Sequence, residues 1–426
     1  MSEAHLTQHL AIIAHRWPAL AESLNQISPL SAANVMEGHC GTLLIDGVQL
    51  TSRHNRLAEA QVQANCLPEV AQLNVYGVGL GDLPRVLLLR STLECLHVFI
   101  MNRALFLLSL SVMEQQDWLQ DSRVCLALAD SEEEIRLPFF ALPAELHLAE
   151  DKANRIRDRL TREITLPHTN RRYQQHFPML RQRIADNKRL LKRDGDVASL
   201  FNSAVGCQAL VIGAGPTLES HIPRLQVLQH HADRPLLIAV DTACRALFAH
   251  NIRPDWVVSI DHLIDEEKLP PSDCGLIYFP LVPTRTLMAW RGKRLAAYSS
   301  SPLYQPLRKV LPKALLNSGG SVIHPAIDLA VRMGCGEITL LGADFAFPGG
   351  KTHTGWDVGA LNTTLEQAKH WVLNGHDQRI STNVSFTGYR IQLERYIATH
   401  PEVSFWNGSR EGAAISGCRY HPEFTS

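Results

Sequence analysis

The sequence contains no Cys-x-x-Cys pair, no basic tract rich in aromatics, no apolar run long enough for a bilayer and no strong net charge. Each absence removes a class of function. The nine cysteines stand singly. Such usage fits reduced thiols in a cytoplasmic protein and argues against a disulfide framework or a zinc site. The most apolar span, Ala104 to Met113, is too short to cross a membrane and has Asn102 and Arg103 at its edge. The opening MSEAHLTQHLAII lacks a basic stretch ahead of a long apolar run, so no secretory signal is read there. A formal net charge of -1 creates no whole-molecule field for nucleic acid or an acidic membrane. There is no repeat at solenoid period and no low-complexity tract.

What remains is globular. The 426 residues exceed one ordinary core, which predicts two domains. Leu6, Leu10, Ile13, Trp17 and Leu20 recur at helical spacing. GTLLIDGVQL (41 to 50) predicts a hairpin turning at Asp46-Gly47. Strand, glycine loop and helix follow over 73 to 88, with further strands at 96 to 102 and 123 to 129. Residues 1 to 150 thus read as a first Rossmann-like module. Residues 151 to 200 carry 13 Lys and Arg against 6 Asp and Glu, with Pro167 and Pro178 as interruptions. They read as solvated linker helices, with an acidic-partner surface as the alternative. Few aromatics are interleaved to stack bases, so nucleic acid is set aside. From 201 to 426, apolar strands at 207 to 213, 235 to 241, 255 to 261, 274 to 280 and 337 to 345 alternate with helical segments, among them 321 to 334 and 387 to 400. Residues 403 to 409 read as a closing strand. The fold class is α/β: two Rossmann-like modules with mainly parallel sheets, joined by basic helices.

In such sheets, ligands sit beyond the carboxyl ends of the strands. Gly213-Ala214-Gly215-Pro216-Thr217 occupies one such end. It is not a phosphate-binding P-loop, because no Gly-Lys-Ser/Thr follows. Nor is it the dinucleotide fingerprint, because Glu219 stands at the third glycine position. Its amides could approach a phosphate, and Pro216 suits a first helical turn. Asp241, Asp261 and Asp344 close later strands on the same edge. Asn317, Ser318, Gly319, Gly320 and Ser321 form a second candidate anion-accepting helix start. His353, on a Gly-Gly loop, is a candidate general base. In the first module Gly77-Val78-Gly79-Leu80-Gly81 is similar to a nucleoside-binding loop, but Asn102 stands where an acid would take the ribose. A structural glycine turn is expected there.

Residues 211 to 261 and 318 to 356 resemble the central domain of the motility-associated factor (Maf) flagellin glycosyltransferases. The stretches LLIDGVQLTSRHNRLAEA, VYGVGLGDLPRVLL and WNGSREGAAISG resemble the flanking parts of that family. The same domain is similar to CMP-using bacterial sialyltransferases, through Gly215-Pro216-Thr217-Leu218, Ser318-Gly319-Gly320, Gly342-Ala343-Asp344-Phe345 and His353. It is also similar to the archaeal 6-hydroxymethylpterin diphosphokinase. Two departures stand out: Asn102 replaces an acid, and the chain stops soon after Gly417, where longer members carry a further helical region.

The resemblance implies a glycosyltransferase that moves a nonulosonic, sialic-acid-like sugar from a CMP-activated donor to Ser or Thr of a protein acceptor such as flagellin. Gly213, Gly215, Pro216, Thr217 and residues 317 to 321 would hold nucleotide or sugar, and Asp241 and Asp261 ribose or base. His353 and Asp344 would be catalytic. The resemblance makes no cofactor certain, and Mg²⁺ is possible. Under the alternative, ATP-dependent pyrophosphoryl transfer to a pterin-like alcohol, Asp241 and Asp261, with Asp344, would hold Mg²⁺. A non-catalytic nucleotide-sugar or partner-binding protein is the third expectation.

Overall fold

Continuous apolar runs, rather than alternating ones, are what a parallel sheet covered on both faces requires. The structure is a computed structural model and describes residues 3–31, 33–36, 39–132, 134–174, 177–354 and 370–425. It comprises two compact units, Met1–Ile164 and Thr165–Ser426. In the first, β1 (Gln72–Tyr76), β2 (Cys95–Ile100), β3 (Val124–Leu128) and β4 (Phe139–Ala141) form an all-parallel sheet in the order β3-β2-β1-β4. Helices α1 (Asp82–Leu88) and α2 (Arg103–Val112) follow β1 and β2. The N-terminal helical pattern breaks into Glu3–Arg16 and Pro18–Asn25, because Pro18 starts a new helix more readily than it continues one. The hairpin forms between Thr42–Ile45 and Val48–Gln49, with Asp46 (φ 48°) and Gly47 (φ 78°) both left-handed at its turn.

In the second unit nine strands form one sheet, all parallel. They are β5 (Gly195–Asp196), β6 (Gln208–Ile212), β7 (Leu236–Val240), β8 (Trp256–Ser259), β9 (Gly275–Tyr278), β10 (Arg294–Ala296), β11 (Glu337–Leu341), β12 (Ser404–Asn407) and β13 (Arg419–Tyr420). Their order is β13-β12-β11-β6-β7-β8-β9-β10-β5. The chain moves outward from β6 through β7 to β10, then returns to the other side of β6 as β11. That reversal is a topological switch point, where open α/β sheets bind ligands. Helix α3 (Leu218–Leu228) follows β6, α4 (Ile323–Met333) crosses β6, β7 and β8, and α5 (Val384–Ala398) follows a small antiparallel ribbon, Trp371–Leu373 with Arg379–Ser381. Gly334, at φ 94°, terminates α4. Strands β5, β10 and β13 lie outside the sequence expectation, and β5 is drawn from the basic stretch at 151 to 200. Among the described residues, no helix is long and apolar enough to cross a membrane.

The glycine loop of the first unit is already occupied by a carboxyl group of the protein. The Glu145 Oε1 accepts the Val78 N–H at 2.6 Å and the Gly79 N–H at 2.5 Å. Gly77, Gly79 and Gly81 all have positive φ, which lets the turn close around it. Asn102 is spent on the fold: it caps α2 through the Leu105 N–H at 3.1 Å and donates to the Leu148 carbonyl at 2.6 Å. Burial pushes the Glu145 carboxyl up to about 7, against the pull of the two amides. Its folded pKa thus exceeds its unfolded value. The stability it confers is complete below about pH 4.5 and is lost as pH rises through 7. Glu145→Gln keeps an oxygen for both amides and removes the buried charge. Thermal and denaturant unfolding between pH 5 and 8 should show the variant less pH-sensitive than the parent, by on the order of 3 kcal/mol.

Candidate functional site

The second glycine loop is clasped by an acid from the neighbouring strand end. Gly213 donates to the Leu341 carbonyl at 2.7 Å and Gly215 to the Gly342 carbonyl at 2.8 Å. The Thr217 N–H reaches Asp344 Oδ2 at 2.9 Å, and its hydroxyl donates to Asp344 Oδ1. Pro216 has no N–H. Within residues 213 to 217, only the Ala214 N–H lacks an acceptor among the described residues. Close approach explains the glycines: a Cβ on Gly213 would lie 2.4 Å from the Gly342 oxygen, and one on Gly215 2.4 Å from Asp344 Oδ2. Asp344 is buried, and desolvation pushes its carboxyl up to about 6 against the Thr217 bonds.

The start of α4 is arranged differently. The Asn317 N–H is taken by Asp328 at 2.8 Å, and Asp328 also accepts from Arg332 at 3.0 Å and Tyr396 at 2.7 Å. The N–H groups of Ser321, Val322 and Ile323 have no acceptor among the described residues, and these three residues line a pocket. Gly320 (φ 96°) passes over Tyr389, where a Cβ would meet the ring at 2.8 Å. His324 is buried between two carbonyls, with Nδ1 3.0 Å from Ser321 O and Nε2 3.0 Å from Tyr389 O. It therefore ties the α4 start to α5. Burial lowers its pKa, opposed by those two carbonyls.

The pocket between these loops has about 540 Å³ of free space, its mouth included. Gly213, Gly215, Ser321, Asp344 and His353 all line it. So does Phe345, from the Gly342-Phe345 motif, as do Thr242, Thr352, Phe386 and Tyr389, four residues that the sequence did not single out. Burial, then the Lys268 charge, lowers the His353 pKa, which favours the neutral ring. Phe345 has φ 46°, a strained backbone for a bulky residue, held by the Thr382 hydroxyl on its carbonyl at 2.7 Å. Pro216, Thr217 and residues 317 to 320 border the two loops without lining the cavity.

The other two acids diverge. Asp241 is 1% exposed; it accepts the Ser259 hydroxyl at 2.7 Å and the Thr242 N–H at 2.8 Å, and desolvation pushes it up to about 6. Asp261 is half-buried, takes the Leu263 N–H at 2.8 Å, and its charge is felt by Asp241 and Tyr389. Asp241, Asp261 and Asp344 do not form a cluster of three metal-ligating side chains among the described residues. Trp356, part of the sequence resemblance, lies outside the described residues. Nothing in the periodicity of 384 to 398 could mark Phe386 and Tyr389 as pocket residues, because aromatics on a helix face read equally as core.

Residues 182–350 match the family described as 6-hydroxymethylpterin diphosphokinase MptE-like. The match includes both loops and all three acids and ends before His353. A solved structure, the MAf glycosyltransferase from Magnetospirillum magneticum AMB-1, is similar at 16% identity with a TM-score of 0.45, covering 99% of this chain and 75% of that one. No curated protein sequence matches the chain significantly. The matched segment thus carries both glycine loops and the three acids but not His353, Phe386 or Tyr389.

Proposed function

We propose that the second unit is a glycosyltransferase that moves a nonulosonic sugar from a CMP-activated donor to a Ser or Thr hydroxyl of a protein, with flagellin as the acceptor implied by family resemblance. One observation carries it: the unclaimed amides of Ser321, Val322 and Ile323 face the same pocket as a histidine biased to its neutral form. Amides at a helix start suit the phosphate of a donor or the carboxylate of its sugar. In the reaction the acceptor oxygen attacks the anomeric carbon as its bond to the CMP phosphate breaks. His353 takes the hydroxyl proton, and the amides of 321 to 323 stabilise the charge gathering on the departing phosphate. Asp261, the acid least committed to the fold, contacts ribose or base. Asp241 and Asp344 act as positioning residues: one ties β7 to β8, the other β6 to β11.

The alternative, pyrophosphoryl transfer to a pterin-like alcohol, is favoured by the family match over 182–350. Calorimetric titration separates the two. CMP binding without metal, with ATP and Mg²⁺ giving no heat, supports the glycosyl reaction. Metal-dependent ATP binding with no response to CMP overturns it.

The pH dependence follows from His353. A base must be deprotonated, and a lowered pKa keeps it so to more acidic pH. The acidic limb of kcat/KM should therefore fall below pH 6.5. His353→Gln should reduce kcat by about 10²- to 10⁴-fold, abolish that limb and leave CMP affinity nearly unchanged. Full turnover in the variant would remove His353 from the mechanism.

A further inference from the structure

We propose that Cys95, His97 and Cys125 form a binding site for a zinc-class, thiophilic divalent cation on the sheet of the first unit. Sequence spacing argues against such a site, since the two cysteines lie 30 residues apart. Sheet register brings them together. Cys95 and His97 are two residues apart on β2, so their side chains share one face. Strand β3 runs parallel beside them and sets Cys125 in register with His97.

The distances fit a metal. Cys95 Sγ lies 3.4 Å from His97 Nε2 and 3.9 Å from Cys125 Sγ, and all three donor atoms are within 4.8 Å of one another. A tetrahedral zinc with sulfur at ~2.3 Å and nitrogen at ~2.0 Å places its ligands about 3.8 Å apart for S···S and about 3.5 Å for S···N. The His97 ring is stacked against Phe99, with centroids 6.2 Å apart, which holds its orientation before any ion arrives.

The charge also balances. Binding releases one proton from each thiol, and two thiolates with a neutral imidazole neutralise a dication. The neighbouring cation, Arg136, is held over Phe99 and paired with Glu132 at 2.8 Å, so its charge is offset. Cys125 is exposed, which leaves the fourth tetrahedral position open to water or an external ligand.

The full chain, reduced and metal-free, is titrated anaerobically with Co²⁺ and then with Zn²⁺. The expected result is one equivalent of Co²⁺ with thiolate-to-metal absorption, displaced by Zn²⁺. Cys95→Ser and Cys125→Ser should each weaken that absorption and lower affinity by more than about tenfold. His97→Gln should lower affinity while keeping the thiolate band. Cys66→Ser, an exposed cysteine elsewhere, should change nothing. Zn²⁺ should raise the melting temperature of the parent but not of the two cysteine variants, and metal-free melting curves establish that the variants fold. Absence of binding by the parent overturns the proposal. So do unchanged binding in the cysteine variants and a Cys95–Cys125 disulfide in place of the metal.

Discussion

The bond from Asp344 to Thr217 fixes the mouth of the second sheet. It joins the ends of β6 and β11 at the point where the strand order reverses, and two glycines, Gly215 and Gly412, are shaped around it. A Cβ on Gly412 would lie 2.8 Å from Asp344 Oδ1, much as one on Gly215 would crowd Oδ2. The clasp has a chemical consequence. A glycine loop beside a helix start is usually an anion cradle because its amides are free. Here the amides of Gly213, Gly215 and Thr217 are consumed within the protein. Under the proposed reading, the donors left for an anion are the Ala214 N–H and, across the pocket, those of Ser321 to Ile323 at the start of α4.

The first unit meets the same problem with a different outcome. Its glycine loop holds the Glu145 carboxylate on two amides, in the place where a phosphate would sit. Both carboxyls are buried, and both are raised, to about 7 for Glu145 and about 6 for Asp344. In each case desolvation favours the neutral carboxyl, and backbone or hydroxyl donors offset only part of that penalty. Glu145 fills its loop from the front and leaves no donor for a ligand at Val78 or Gly79. Asp344 grips its loop from the adjacent strand end, and the cavity beside it stays open to Ser321 and His353. One glycine loop is thus closed by its own side chain, while the other borders an open cavity.

The larger part of the fold is legible in the sequence because buried parallel strands are continuous apolar runs, as in residues 208 to 212 and 236 to 240. Strands β5, β10 and β13 are not, since two or three residues carry no periodicity. The three aspartates are legible as strand-end acids. Their commitments are not: Asp344 bonds a residue 127 positions away, and Asp241 turns inward to Ser259. The helix start at 317 to 321 is legible from its small residues, yet only its last member lines the cavity, together with Val322 and Ile323. Cys95, His97 and Cys125 escape any spacing rule because their adjacency is a product of register between neighbouring strands.

Phe345 shows why these pieces depend on one another. It follows Asp344 directly and adopts φ 46°, a conformation that costs a bulky residue on the order of 1–3 kcal/mol. Such strain persists only where its surroundings over-determine it. Here the Asp344 side chain is fixed on Thr217, and the Phe345 carbonyl is fixed by Thr382 from the ribbon that leads into α5. The ring then lies in the wall of the pocket, facing the same cavity as Phe386 and Tyr389 of α5. Helix α5 is in turn tied to the α4 start by His324. The clasp, the strained turn, α5 and the free amides form one closed circuit around the cavity, so displacement of any member moves the donors that would hold an anionic ligand.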